Sequence, residues 1–379
     1  MGGGRGSGTA RHLTLVPAAE LTQDVVRAAL DGRVPLAVLP SGPPALVEAA
    51  RRALRPEAPL EDGADLVVVT SGSTGNSRGV LLSSAALRAS ATATHARLGG
   101  PGTWLLALPV SAIAGLQVLC RSVLAGTRAE VLAKDEPLAA AVGRMPAGRR
   151  YTALVPTQLR RFLDEEPDAL RSFDAVLVGG AATDAALRDR ARAEGVAVVA
   201  TYGMTETAGG CVYDEQPLDG VRVRVTDGVE LAGPTLALGY RLDPDATGAA
   251  FAGGWFRTRD AGAIGRDGRL TVTGRLDDVV ITGGVNVAPA AVEAALREHP
   301  GVADAVVFGR PDDTWGQRVV AAVVPASGAG PELSVLREWV ADRLGRPAAP
   351  RQLHVLGTLP LLHTGKPDRR AVAALTPEV

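Results

Sequence analysis

The strongest constraint on this chain is a series of short apolar runs that do not alternate. The stretches 34–39, 65–69, 104–108, 129–132, 152–155, 175–178 and 196–200 carry Val, Leu and Ala at consecutive positions. A strand with one wet face alternates polar and apolar residues, so runs that are apolar on both sides belong to a sheet covered on both faces. Between them lie helix-like segments at 24–30, 44–54, 84–98, 158–163 and 184–194. Pro44 falls near the first turn of one helix, and Ser84 fits the N-cap of another. Strands interleaved with helices predict a large, doubly wound α/β body.

The texture changes from about Val221. Short runs at 221–225, 228–232, 237–240 and 269–272, broken by Gly and Pro, predict a small β-subdomain. After Asp277 comes a compact α+β tail, with helices at 289–298 and 332–344 and strands at 303–308, 319–324 and 353–356. A length of 379 residues is two to three times the usual ~150-residue domain. The expectation is therefore a domain at 1–276 and a smaller one at 277–379.

Composition narrows the function. Forty basic residues against forty-one acidic ones give a net charge of −1, which argues against nucleic acid as a partner. No apolar run approaches the ~18 residues of a membrane span, and the Gly-rich start, 1–11, lacks the apolar core of a signal peptide. Cys120 and Cys211 alone offer neither a disulfide framework nor a Cys-based zinc site. A cytoplasmic enzyme is expected. Only Lys134 and Lys366 among the forty basic residues are lysine; one of two could survive by chance, yet a lysine kept among so many arginines makes Lys366 a position to watch.

The chemistry concentrates after the 65–69 run. Thr70-Ser71-Gly72-Ser73-Thr74-Gly75-Asn76-Ser77-Arg78-Gly79 holds five hydroxyls and three glycines. Glycine lets backbone N–H groups converge on phosphate oxygens, and hydroxyls add donors. It is no Walker A loop, since no Gly-Lys-Ser/Thr closes it, and a generic Ser/Gly loop is as often a plain surface turn. Four further segments weigh against the plain reading. Tyr202-Gly203-Met204-Thr205-Glu206-Thr207 offers an aromatic face, a hydroxyl and a carboxylate near a strand end. Gly254–Asp260 ends in an acid, Gly274-Arg275-Leu276-Asp277-Asp278 leads into Gly283-Gly284, and His363-Thr364-Gly365-Lys366 carries the rare lysine.

In this order and spacing the set resembles the adenylate-forming superfamily of acyl-CoA ligases, adenylation domains and luciferases, over nearly the whole chain from Asp65. Within it the likeness is greatest to the 2-succinylbenzoate–CoA ligases of menaquinone biosynthesis in their short actinobacterial form, carried also by Leu154–Leu159, Val178–Ala182, Ile113–Ser122 and Thr201–Asp214. The resemblance implies a carboxylic acid activated by ATP and Mg²⁺ as acyl-AMP, then passed to coenzyme A. It implies Thr70, Ser71, Gly72, Ser73, Thr74, Gly75 and Arg78 around the outer phosphates, and Gly180, Ala181 and Tyr202 around adenine. Thr205 is implied at the α-phosphate, Glu206 on Mg²⁺, and Asp260 and Arg275 on the ribose. Lys366 is implied as the catalytic cation, Gly283 and Gly284 as room for the pantetheine arm, and Asp277 as the hinge of a mobile C-terminal domain.

Two departures stand out. Ser77-Arg78 replaces a common Pro-Lys, and Ala112 stands where the family commonly has a pocket histidine. The second leaves another aryl or acyl acid as a rival substrate; separately, a carrier-protein thiol is a rival acceptor to coenzyme A. A non-catalytic nucleotide-binding module is the rival from another class, and a homodimer is left open. His12, His95, His299 and His354 are scattered, and only His363 lies beside a motif.

Overall fold

A computed structural model describes residues 10–71, 77–181, 185–362 and 367–375. Two sheets build the large body. The first runs Thr14–Pro17, Leu36–Leu39, Leu66–Ser71, Ser77–Leu82, Gly239–Tyr240. Its first three strands are parallel, and Leu66–Ser71 then pairs antiparallel with Ser77–Leu82. The second sheet has seven strands: Gln216–Pro217, Gly209–Tyr213, Val198–Met204, Ala175–Val178, Arg150–Leu154, Thr103–Leu106 and Glu130–Val131. Its last five are parallel. Leu36–Leu39, Thr103–Leu106 and Ala175–Val178 are buried at every position, as runs without alternation require.

Helices cover these sheets. Pro44–Leu54 carries its proline in the first turn. Ser84–Arg97 is capped by Ser83 and not Ser84, the Ser83 hydroxyl accepting from the Ala86 N–H at 3.1 Å. Ile113–Ala125 ends on Gly126 at φ 66°, a left-handed turn suited to glycine.

The β-subdomain is a four-stranded sheet of Arg222–Val225, Val229–Ala232, Trp255–Arg257 and Phe251–Ala252, beside the Asp260–Ile264/Leu270–Arg275 hairpin. Gly239–Tyr240, expected here, joins the first large sheet instead, because it pairs with Val80 and Leu81. The tail builds its own sheet from Val280–Thr282, Val285–Val287, Val302–Asp312, Gly316–Pro325 and Gln352–Val355, packed by Pro289–Arg297 and Leu333–Leu344. Its apolar core gathers Val292, Leu296, Val307, Val319 and Val340, and it shares no member with the cores of the large body.

Candidate active site

A cavity of about 710 Å³ opens where the two large sheets, the β-subdomain and the tail converge. The sequence sets its walls locally. Leu66–Ser71 and Ser77–Leu82 form a hairpin that brings Thr70 opposite Arg78, and both line the cavity. Residues 72–76 lie outside the described residues, and with them Gly72, Ser73, Thr74 and Gly75. Ser71 pairs through its backbone with Ser77.

The second wall is the Val198–Met204 strand, which runs past the expected 196–200 because Gly209 and Gly210 pair back onto Met204 and Gly203. Thr205 and Glu206 follow in a short 3₁₀ turn and face the cavity. Gly179 and Gly180 end the neighbouring strand. Thr201 fits closely against Gly179: a methyl there would stand 2.9 Å from the Thr201 carbonyl. Ala181 is exposed and outside the lining.

Polar contacts order this wall. The Tyr240 hydroxyl donates to Glu206 Oε1 at 3.0 Å, and the Arg78 guanidinium lies 5.5 Å from the Tyr240 ring centre. Burial pushes the Glu206 carboxyl above its ordinary value. Behind the lining, the Tyr202 hydroxyl donates to Asp260 Oδ2 at 2.7 Å, and burial followed by the Asp260 charge raises the phenol. Arg275, which lines the cavity, stands 3.6 Å from Asp260 Oδ1 and grips Asp277 through Nε at 2.8 Å and NH2 at 3.1 Å. Tyr202, Asp260, Arg275 and Asp277 are thus brought into one chain of contacts.

Two expected positions sit elsewhere. Gly283 and Gly284, at φ 57° and 79°, form the two-residue turn between Val280–Thr282 and Val285–Val287, outside the cavity lining. That turn by itself calls for glycine or asparagine at both positions. Lys366 and His363 lie outside the described residues. The segment before them does reach the cavity, for Leu362 is part of the lining, and Leu361 pairs with Pro367.

Sequence reasoning missed the floor. Ile113, Gln117 and Arg121 recur every four residues along the Ile113–Ala125 helix, so one face of that helix lines the cavity. Ala112 lines it too and leaves open the space a histidine would fill. Arg121 is 3% exposed and makes a single described side-chain hydrogen bond, from NH2 to the Tyr213 hydroxyl at 3.3 Å. Its Nε is buried without a partner, and no carboxylate pairs with it among the described residues. The stripe of Gln and Arg at helical spacing within an apolar segment was the available signal.

Among the described residues no group of three or more His, Cys, Asp or Glu could hold a metal alone. Glu206 by itself fits Mg²⁺, an oxygen-seeking ion that keeps waters and takes nucleotide phosphates as its other ligands.

This architecture, with hydroxyls and an arginine at a hairpin end, a Thr-Glu turn and a small tail reaching the same cavity, defines an enzyme class that handles a nucleotide. The chain belongs to the AMP-binding enzyme family: the family model matches residues 13–236, and that of the AMP-binding enzyme C-terminal domain matches 291–366. A probable 2-succinylbenzoate–CoA ligase of Mycobacterium tuberculosis (strain CDC 1551 / Oshkosh) is 49% identical over 355 residues, covering 88% of this chain and 92% of that protein. The o-succinylbenzoate CoA synthetase of Bacillus subtilis in complex with its acyl-adenylate intermediate matches with a TM-score of 0.77 at 26% identity, covering 95% of this chain and 82% of that one. The same enzyme in complex with ATP and magnesium ion matches with a TM-score of 0.74 at 26% identity, over 95% and 78%.

Proposed function

We propose that this chain joins 2-succinylbenzoate to coenzyme A through an acyl-adenylate, using ATP and Mg²⁺, as a step of menaquinone biosynthesis in the cytoplasm. One carboxylate oxygen of the acid attacks the α-phosphorus of ATP, the bond to the β-phosphate bridge breaks, and pyrophosphate leaves. The thiol of coenzyme A then attacks the acyl carbon, and AMP departs with the bonding pair.

The observation that carries the substrate is Arg121. A buried cation with one neutral partner is unfavourable until an anion joins it. Arg121 sits roughly 12 Å along its helix from Ile113, at 1.5 Å per residue. It would hold one carboxylate of a diacid while the other is presented to the phosphates. A fatty acid has nothing to offer this group. The close relatives' names point to the same acid, a diacid with a flat ring, and Gly209 and Gly210 keep that part of the wall free of side chains.

The remaining roles are those the family resemblance implies. Thr70 and Arg78 face the outer phosphates, Thr205 the α-phosphate, and Arg275 with Asp260 the ribose. Gly180 flanks the adenine, with Tyr202 behind the lining and Ala181 beyond it. Glu206 would hold Mg²⁺, which supplies charge neutralisation across the phosphates. Lys366 serves as the cation of the adenylation step, and the segment from Asp277 onward turns between the half-reactions to let Gly283 and Gly284 approach the thiol's path. No described helix is long and apolar enough to cross a membrane.

The test is pyrophosphate release over a panel of acids, with mass detection of the CoA product. The expected result is a higher kcat/KM for 2-succinylbenzoate than for benzoate or medium-chain fatty acids. A fatty acid at the top of the ranking overturns the proposed substrate while leaving the class intact. Thioester formed only on a carrier protein overturns the acceptor.

A further inference from the structure

The hydrogen-bond directions beneath the cavity floor are fixed by the groups themselves. The Thr94 hydroxyl has one proton, and it donates to the Ser90 carbonyl at 2.9 Å. The Thr94 and Tyr213 hydroxyl oxygens lie 3.0 Å apart, both buried. Either hydroxyl could donate there, but the Ser90 carbonyl takes the Thr94 proton and Arg121 accepts none, so the phenol supplies the proton of that contact. Tyr213 Oη then keeps only lone pairs, and it meets the Arg121 NH2 donor at 3.3 Å. The relay runs one way, from Arg121 to Tyr213 to Thr94 to the backbone of Ser90.

A second set of contacts confines the guanidinium from its face. The Trp104 ring centre lies 4.8 Å from the Arg121 guanidinium carbon. Trp104 is itself fixed, its indole N–H donating to His95 Nε2 at 3.3 Å and its ring packing 5.1 Å from that of Tyr151. Arg121 is therefore held by a ring on one face and by an acceptor-only oxygen at one nitrogen, while Nε and NH1 have no described partner. A phenol oxygen whose proton points away to Thr94 presents lone pairs that attract the guanidinium and repel a carboxylate. Tyr213 thus steers both: it fixes the cation, and it turns an incoming anion toward NH1, the unpaired nitrogen that is not sealed off.

We propose that Tyr213, which offers Arg121 only lone pairs because Thr94 takes its proton, is the positioning residue that sets this enzyme's preference for a diacid, acting through Arg121. This rests on the reading of Arg121 as the anchor of the second carboxylate. Tyr213 lines the cavity but acts on selectivity, not on the reacting carboxylate.

The experiment compares 2-succinylbenzoate with 4-oxo-4-phenylbutanoate, the keto acid that lacks the ring carboxylate, in the wild-type chain, Tyr213→Phe and Thr94→Val. A hydrogen bond to a charged group corresponds to roughly a tenfold effect. Tyr213→Phe is expected to lower kcat/KM for the diacid about 10-fold, chiefly through KM, with the monoacid nearly unchanged. Thr94→Val releases the phenol proton to compete with Arg121 and is expected to shift the same ratio less, in the same direction. A change of equal size for both acids in Tyr213→Phe, or an unchanged ratio in both variants, overturns the proposal. A wild-type chain that does not prefer the diacid overturns the reading of Arg121 instead. If Tyr213→Phe does not fold, Thr94→Val decides, since its effect on the ratio has the same sign.

Discussion

Glu206 and His95 are ionisable side chains whose burial sets how they respond to their surroundings. Burial raises the Glu206 carboxyl above its ordinary value, because a buried negative charge lacks water, and a dication beside it would supply the missing stabilisation. Glu206→Gln keeps the shape and removes the charge. The Mg²⁺ concentration for half-maximal pyrophosphate release should rise at least ~10-fold, the size of effect that even outer-shell changes produce. An unmoved Mg²⁺ titration places the metal on other residues. His95 responds in the opposite sense, for burial first and Arg121 second hold it down to about 4 from 6.5. Between those values the unfolded chain binds the proton and the folded one does not, so unfolding gains as pH falls. His95 should therefore support full stability above pH 6.5 and lose that contribution progressively toward pH 4. Thermal melting of wild type and His95→Gln across that range measures it; parallel curves would show that His95 does not carry the slope.

At the scale of elements, the cavity depends on strands that approach within backbone distance. Gly179 ends its strand against Thr201, where a methyl would meet the Thr201 carbonyl at 2.9 Å and its hydroxyl closer still. Gly179→Ala should force the two strand ends apart, lowering stability by about 1–3 kcal/mol as overpacking does. Denaturant titration reads the stability and a nucleotide KM reads the site; a variant with both unchanged would mean that this junction yields freely. Elements explain what was legible and what was not. The Ala175–Val178 strand coincides with its apolar run, since burial on both faces alone determines it. The expected 196–200 strand fell short because Gly203 weakens the local signal, and only pairing with Gly209 and Gly210 extends the strand through Met204. The Ile113–Ala125 helix was not expected, because it is buried along most of its length and only Gln117 and Arg121 mark its period within an apolar run.

For the whole molecule, the tail has an apolar core of its own from Val280 onward, and the hinge proposed at Asp277 lies just ahead of it. Asp277 is tied to Arg275, with Arg259 NH1 a further 3.4 Å from Oδ2. Lys366→Ala should slow adenylation by roughly 10²–10³, as the loss of one preorganised positive group does. The same variant should still convert supplied acyl-AMP to thioester. Asp277→Pro, which restricts φ at the pivot, should keep adenylation and impair thioester formation. Pyrophosphate release and CoA consumption from synthetic acyl-AMP separate the two steps, and equal slowing of both by Lys366→Ala removes the case for rotation. The sequence by itself determined the α/β body and the family, because each is written in contiguous residues whose chemistry does not depend on distant partners. Tertiary structure alone decided the floor of the cavity. Thr94, Trp104, Arg121 and Tyr213 come from four separate elements, and a hydrogen bond's direction or a cation's missing partner exists only once those elements are packed together.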